Sequence, residues 1–94
     1  MTEEQANINA AFETFLDSYL PPAALDNIAA RYGEETAAAV KAIYDDAMDT
    51  PVDWSTATID TALPVLHEML ATKYPWLSPM ARRKINTAFI MAWK

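Results

Sequence analysis

The sequence predicts an all-α fold, a small compact bundle or orthogonal array of about five helices forming one domain over residues 1–94. Three observations carry that expectation. Apolar residues recur at spacings of three and four along most of the chain, as helices with one buried face require. Six prolines and a single glycine interrupt the pattern and divide it into segments of helical length. Nowhere do apolar and polar residues alternate for long enough to make a useful strand.

The first helix is expected over about residues 2–20. Thr2 and Gln5 have the spacing of a capping box, in which hydroxyl and amide satisfy otherwise unpaired backbone donors. Ile8, Ala11, Phe12, Phe15, Leu16, Tyr19 and Leu20 form the apolar stripe, and Asn7, Asn9, Glu13, Thr14 and Asp17 the polar face. Pro21-Pro22 ends the helix, because proline disfavours helical geometry in the residue before it. Pro22 then suits the first position of a second helix, about 22–32, where its missing N–H costs nothing. Leu25, Ile28, Ala29 and Tyr32 form that stripe, and Gly33 stops it by adopting positive φ.

A third helix, about 34–48, opens with Glu34 and Glu35, which suit the positive end of the helix dipole. Thr36, Val40, Ile43, Tyr44, Ala47 and Met48 make its inner face, and the small side chains of Ala37, Ala38 and Ala39 allow close approach of a neighbour. Asp49-Thr50-Pro51 closes it. Between 51 and 60 the signals compete: Asp53 suits the cap of a short turn holding Trp54, while Ser55, Thr56 and Thr58 offer caps of their own.

Helical period returns from Ile59 through Leu63, Leu66, Met69, Leu70 and Tyr74. This gives a fourth helix, about 60–74, with Pro64 in the first turn, where it escapes the mid-helix cost of about 3 kcal/mol. A longer helix from Ser55, kinked at Pro64, is the alternative. Ser78-Pro79 pairs a cap residue with a first-position proline and starts a fifth helix, about 79–93. Ala81, Ile85, Ala88, Phe89, Ala92 and Trp93 share one face. Ile90 and Met91 lie on the other, so the C-terminal half is apolar nearly all round.

Composition excludes several chemistries. There is no cysteine, hence no disulfide and no thiolate metal site. The chain is 52% hydrophobic and 21% charged, which separates it from disordered sequences. An acidic start, Met1-Thr2-Glu3-Glu4, does not resemble a signal peptide, and no apolar run approaches the roughly 18–20 residues of a membrane span. A cytoplasmic protein without membrane contact is expected.

No reaction centre is apparent. His67-Glu68 begins like the zinc-protease pattern H-E-x-x-H, but Ala71 stands where the second histidine belongs. His67 is expected instead to flank the ridge from Leu63 to Leu70. Asp45, Asp46, Asp49 and Asp53 lack the alternating acids, central glycine and final glutamate of a calcium loop. The segment from Leu25 to Val40 has a helix-turn-helix outline, yet its second helix opens with Glu34-Glu35, which repels phosphate. Serines 18, 55 and 78 read as caps or surface residues, and one glycine cannot build a phosphate-cradling loop. Catalytic residues, cofactors and metals are therefore not expected.

Charge is the informative feature. The net value of −6 divides into −10 over residues 1–60 and +4 over residues 61–94. Two clusters oppose their local helix dipoles: Asp45 and Asp46 near the end of helix three, and Arg82, Arg83 and Lys84 near the start of helix five. Either the two neutralise each other or they face a partner. The expected function is non-catalytic: an acidic module docking a basic protein in the manner of an inhibitor, antitoxin or immunity protein. Asp45, Asp46, Asp49, Asp53, Arg82, Arg83 and Lys84 are its expected partner-binding residues. One alternative is self-association through Ile90, Met91 and Trp93. Another is weak nucleic-acid binding through Arg82, Arg83 and Lys84. Trp54, Trp76 and Trp93 are expected to fill the core or anchor an interface.

Overall fold

The computed structural model describes residues 2–16, 20–50 and 58–92. Among them are five helices and no strand: α1 (Glu3–Phe15), α2 (Pro22–Tyr32), α3 (Glu34–Met48), α4 (Ile59–Lys73) and α5 (Pro79–Ala92). The all-α architecture is as the periodicity predicts. α3 is the hub, packing against each of the other four helices, while α1 also meets α2 and α5, and α4 meets α5. Phe12, Ile28, Val40, Leu66 and Phe89, one from each helix, are wholly buried members of a single apolar cluster.

α1 begins as its capping box predicts. The Gln5 N–H donates to Thr2 Oγ1 at 3.1 Å, and the Thr2 N–H donates to Gln5 Oε1 at 3.0 Å. It stops earlier than the stripe suggests, at Phe15 rather than near residue 20. Leu16 turns extended, with φ −85° and ψ 122°, while its N–H still donates to Phe12 O at 3.2 Å. Leu16 is buried in the core at 2% exposure, and Leu20 packs on the core's margin. Asn9 corrects a second expectation. It is buried, not on the polar face.

Gly33 joins α2 to α3 alone. Its φ of +102° is open to glycine and strained for other residues. Its N–H donates to Ala29 O at 2.9 Å and its carbonyl accepts from the Ala37 N–H at 3.2 Å, so one residue ends one helix and starts the next. Of the expected inner face of α3, Thr36, Val40, Ile43 and Ala47 are buried and Met48 packs beside the core. Ala37 joins them, and its small side chain permits the close α2–α3 approach.

The start of α4 differs from expectation. Thr61 Oγ1 accepts from the Thr58 N–H at 2.8 Å, and Thr58 O accepts from the Ala62 N–H at 2.9 Å, fixing the first turn around Thr58. Pro64 therefore stands inside the helix, beyond its first turn, and the helix does not reach back to Ser55. The amide it lacks would have served Asp60 O, and both Asp60 and Pro64 are exposed, so water can take that acceptor. Ala62, Leu66 and Leu70 carry the buried face.

α5 packs between α1, α3 and α4 through Ala81, Ile85, Ala88 and Phe89. Ala92 is exposed, unlike the rest of that predicted face, because it sits in the last turn of the helix. Asp53, Trp54 and Trp93, like Asp17, Ser18 and Tyr19, lie outside the described residues. No helix among the described residues is long and apolar enough to cross a membrane.

Candidate functional site

The aspartates at the end of α3 are partly neutralised from within. Lys41 Nζ meets Asp45 Oδ2 at 2.6 Å, a pair of exposed side chains one turn apart. Asp46 Oδ2 faces Lys73 Nζ at 3.7 Å and accepts a hydrogen bond from the Tyr74 hydroxyl. Burial, then the hydrogen bond to Asp46, then the charge of Asp46 push the Tyr74 phenol up to about 12. Asp49 is exposed and contributes its backbone N–H to Asp45 O at 2.9 Å. The compensating cations are thus Lys41 and Lys73. Among the described residues, no ion pair joins these aspartates to Arg82, Arg83 or Lys84.

A different set of acids remains unmatched. Glu3 and Glu4 in the first turn of α1 and Glu34 and Glu35 in the first turn of α3 border one cleft of about 490 Å³. Asn7, Tyr32, Gly33 and Thr36 complete its lining. All four glutamates are exposed, and none has an ion-pair or side-chain hydrogen-bond partner among the described residues. Local physics explains their positions. Two positive helix ends lie side by side, and each acid in a first turn contributes about 0.3–1 kcal/mol at low ionic strength. Four full negative charges more than cancel two half-charges, so the cleft keeps a negative field. The nearby Arg31 guanidinium lies over the Tyr32 ring, 5.5 Å from its centroid.

The corner between α4 and α5 sits near the other end of α3, because Tyr74 and Lys73 reach Asp46. From Glu34 to Asp46 the helix rises about 18 Å at 1.5 Å per residue. Asn9 pins this corner to α1. Its Nδ2 donates to Trp76 O at 3.1 Å and its Oδ1 accepts from the Ser78 N–H at 2.9 Å. Ser78 Oγ caps α5 by accepting from the Ala81 N–H at 3.1 Å, and it donates to Glu13 Oε1 at 3.4 Å. Trp76 packs beside the core with its ring edge-on to Tyr74, centroids 6.1 Å apart.

Beyond this corner, His67, Pro79, Arg82, Arg83 and Asn86 line a groove of about 330 Å³ between α4 and α5. His67 is exposed at the groove, four residues after Leu63 and three before Leu70 on α4. Lys84 is half-buried and does not line it. Of the residues expected to mediate self-association, Ile90 is half-buried and Met91 is 49% exposed.

Among the described residues no cluster of three histidines, aspartates or glutamates is placed to hold a metal ion. Comparison with protein families, curated proteins and solved structures finds no match for the chain. The acid cleft was readable only in halves. Each glutamate pair is a plain N-terminal signal, and nothing in the sequence states that the two helix ends meet. For Asn9 a faint signal exists, since it stands at the edge of the arc that becomes buried, about 60° past Phe12.

Proposed function

We propose that this chain is a non-catalytic acidic docking module that binds a lysine- or arginine-rich segment of a protein partner. The docking ground is the cleft bordered by Glu3, Glu4, Glu34 and Glu35. The observation that carries this reading is that four carboxylates from two helices border one cleft whose lining holds no cation, and none of the four forms an ion pair among the described residues. The aspartates near Asp49 are the secondary ground, since Lys41 and Lys73 already answer much of their charge. Exposed ion pairs contribute only about 0–1 kcal/mol each, so the field chiefly raises association rate and selects basic partners. A small acidic protein with these properties suits an inhibitor, antitoxin or immunity role in the cytoplasm.

The test is a titration followed by backbone amide NMR, using a synthetic peptide of alternating arginine and serine. Saturable shifts are expected at Asn7, Tyr32, Gly33 and Thr36, weakening as salt rises from about 10 mM to about 100 mM and the Debye length shrinks from ~30 to ~10 Å. A protein carrying Glu3→Gln, Glu4→Gln, Glu34→Gln and Glu35→Gln should lose those shifts while keeping its helical circular dichroism. Saturation at Asp45–Asp49 alone, or undiminished binding by the glutamine variant, refutes the cleft as the docking ground.

A further inference from the structure

We infer that the groove between α4 and α5 is a binding site for a single phosphoryl group, separate from the acidic cleft and independent of it. Its lining is cationic or neutral throughout: His67 from α4, and Pro79, Arg82, Arg83 and Asn86 from α5. Glu68 follows His67 in sequence but lines a separate apolar groove with Val65 and Met69. In a protein of net charge −6, a groove with two arginines, a histidine and no acid is a local patch of the opposite sign that attracts an anion.

The donors are already partly organised. Arg82 Nη2 donates to Pro75 O at 3.0 Å, which fixes the guanidinium plane against the α4–α5 corner. Its Nε is screened from solvent and has no acceptor, and Asn86 Oδ1, one helical turn on, is screened and has no donor. No hydrogen bond holds the Asn86 side chain among the described residues, and a ligand reaching the guanidinium edge requires it to turn aside. A phosphate oxygen arriving there accepts from Arg82 Nε, while only the P–O–H of the monoanion can donate to Asn86 Oδ1.

A tetrahedral anion matches donors that come from two helices and three side chains, whereas a planar carboxylate is satisfied by one arginine alone. The end of α5 is not itself the attraction. Pro79 has no N–H, and the amides of Ala81 and Arg82 are taken by Ser78 Oγ and Ser78 O. The groove's short reach and the protein's overall negative charge disfavour a long polyanion, so the ligand is one phosphoryl group, free or on a small ester.

Phosphate is titrated into the full-length protein at constant ionic strength, with sodium chloride as the balancing salt and amide NMR as the readout. Saturable shifts are expected at Met80, Ala81, Arg82 and the amide of His67. The exposed residues Arg83 and His67 are replaced singly, as Arg83→Gln and His67→Ala. The first should weaken binding about tenfold, the loss of one charge-assisted hydrogen bond, with the melting curve unchanged. A sugar monophosphate run in parallel identifies the source: tighter binding than phosphate marks an ester, and equal or weaker binding marks the free ion. The inference is overturned if the shifts grow linearly without saturation, if acetate matches phosphate, or if both variants bind like the native protein. A single-stranded oligonucleotide that binds far more tightly than phosphate at the same salt also overturns it, in favour of nucleic acid.

Discussion

Replacing Asn9 with alanine is the most direct test of how the helices are tied together. The side chain is 5% exposed and closes two hydrogen bonds to the α4–α5 corner, from Nδ2 to Trp76 O at 3.1 Å and from the Ser78 N–H to Oδ1 at 2.9 Å. Alanine leaves both backbone groups without that partner. An unsatisfied buried group costs about 1–3 kcal/mol, and water reaching this half-buried corner recovers part of it, so the expected loss is about 2–3 kcal/mol. Against a total stability of about 5–14 kcal/mol for a chain of this size, that is a large fraction. It corresponds to a fall of roughly 10–20 °C in Tm. Thermal melts followed by circular dichroism at the helical band, with urea titration at 25 °C, measure both quantities. The urea slope should stay unchanged, because the unfolding surface is the same. A loss below about 0.5 kcal/mol would mean that the corner holds by apolar packing alone, and would refute the pinning role argued from these two bonds.

Two further predictions concern single backbone and side-chain groups. Gly33→Ala should destabilise the fold by about 1–3 kcal/mol in the same melts, through φ strain alone. Its added Cβ meets nothing within 4 Å, so a neutral result would show that the α2–α3 joint relaxes to negative φ. For Tyr74, the folded phenol titrates near 12 against an ordinary value of 10.0. Its stabilising contribution is whole below pH 10 and is lost as pH rises toward 12. Tyrosinate absorbance should reveal a late-titrating phenol that Tyr74→Phe removes. Asp46→Asn should bring it down only partway, because burial is the larger cause, and a complete return to 10.0 would reverse that order.

The architecture was legible because each helix carries its own boundary chemistry. Pro22, Gly33, Glu34 and Pro79 act on neighbours within a turn, and α2, α3 and the start of α5 fall where those residues place them. The misplacements occur where tertiary burial outweighs local pattern. Leu16 leaves the α1 helix to enter the core, and Pro64 sits inside α4 because Thr58 and Thr61 set the first turn ahead of it. The site was less legible for the same reason. Pairing of Asp46 with Lys73 and Tyr74 spans 27–28 positions, and the meeting of the Glu3 and Glu34 helix ends spans more. Charge counted along the chain set the acidic and basic portions apart. It could not say that the aspartates meet lysines, or that the arginines share a groove with His67.

The joint at Gly33 makes this part of the chain intolerant of changes in length. With a single residue between two helices there is no slack to absorb an insertion or deletion. One residue inserted in the first turn of α3 would rotate the rest of that helix by about 100° about its axis relative to α2. Val40, Ile43 and Ala47 would swing out of the shared interior, and the Asp46 carboxylate would take the buried place of Ala47. Because that helix touches all four others, such a slip would be felt as loss of the whole assembly and not as a local adjustment.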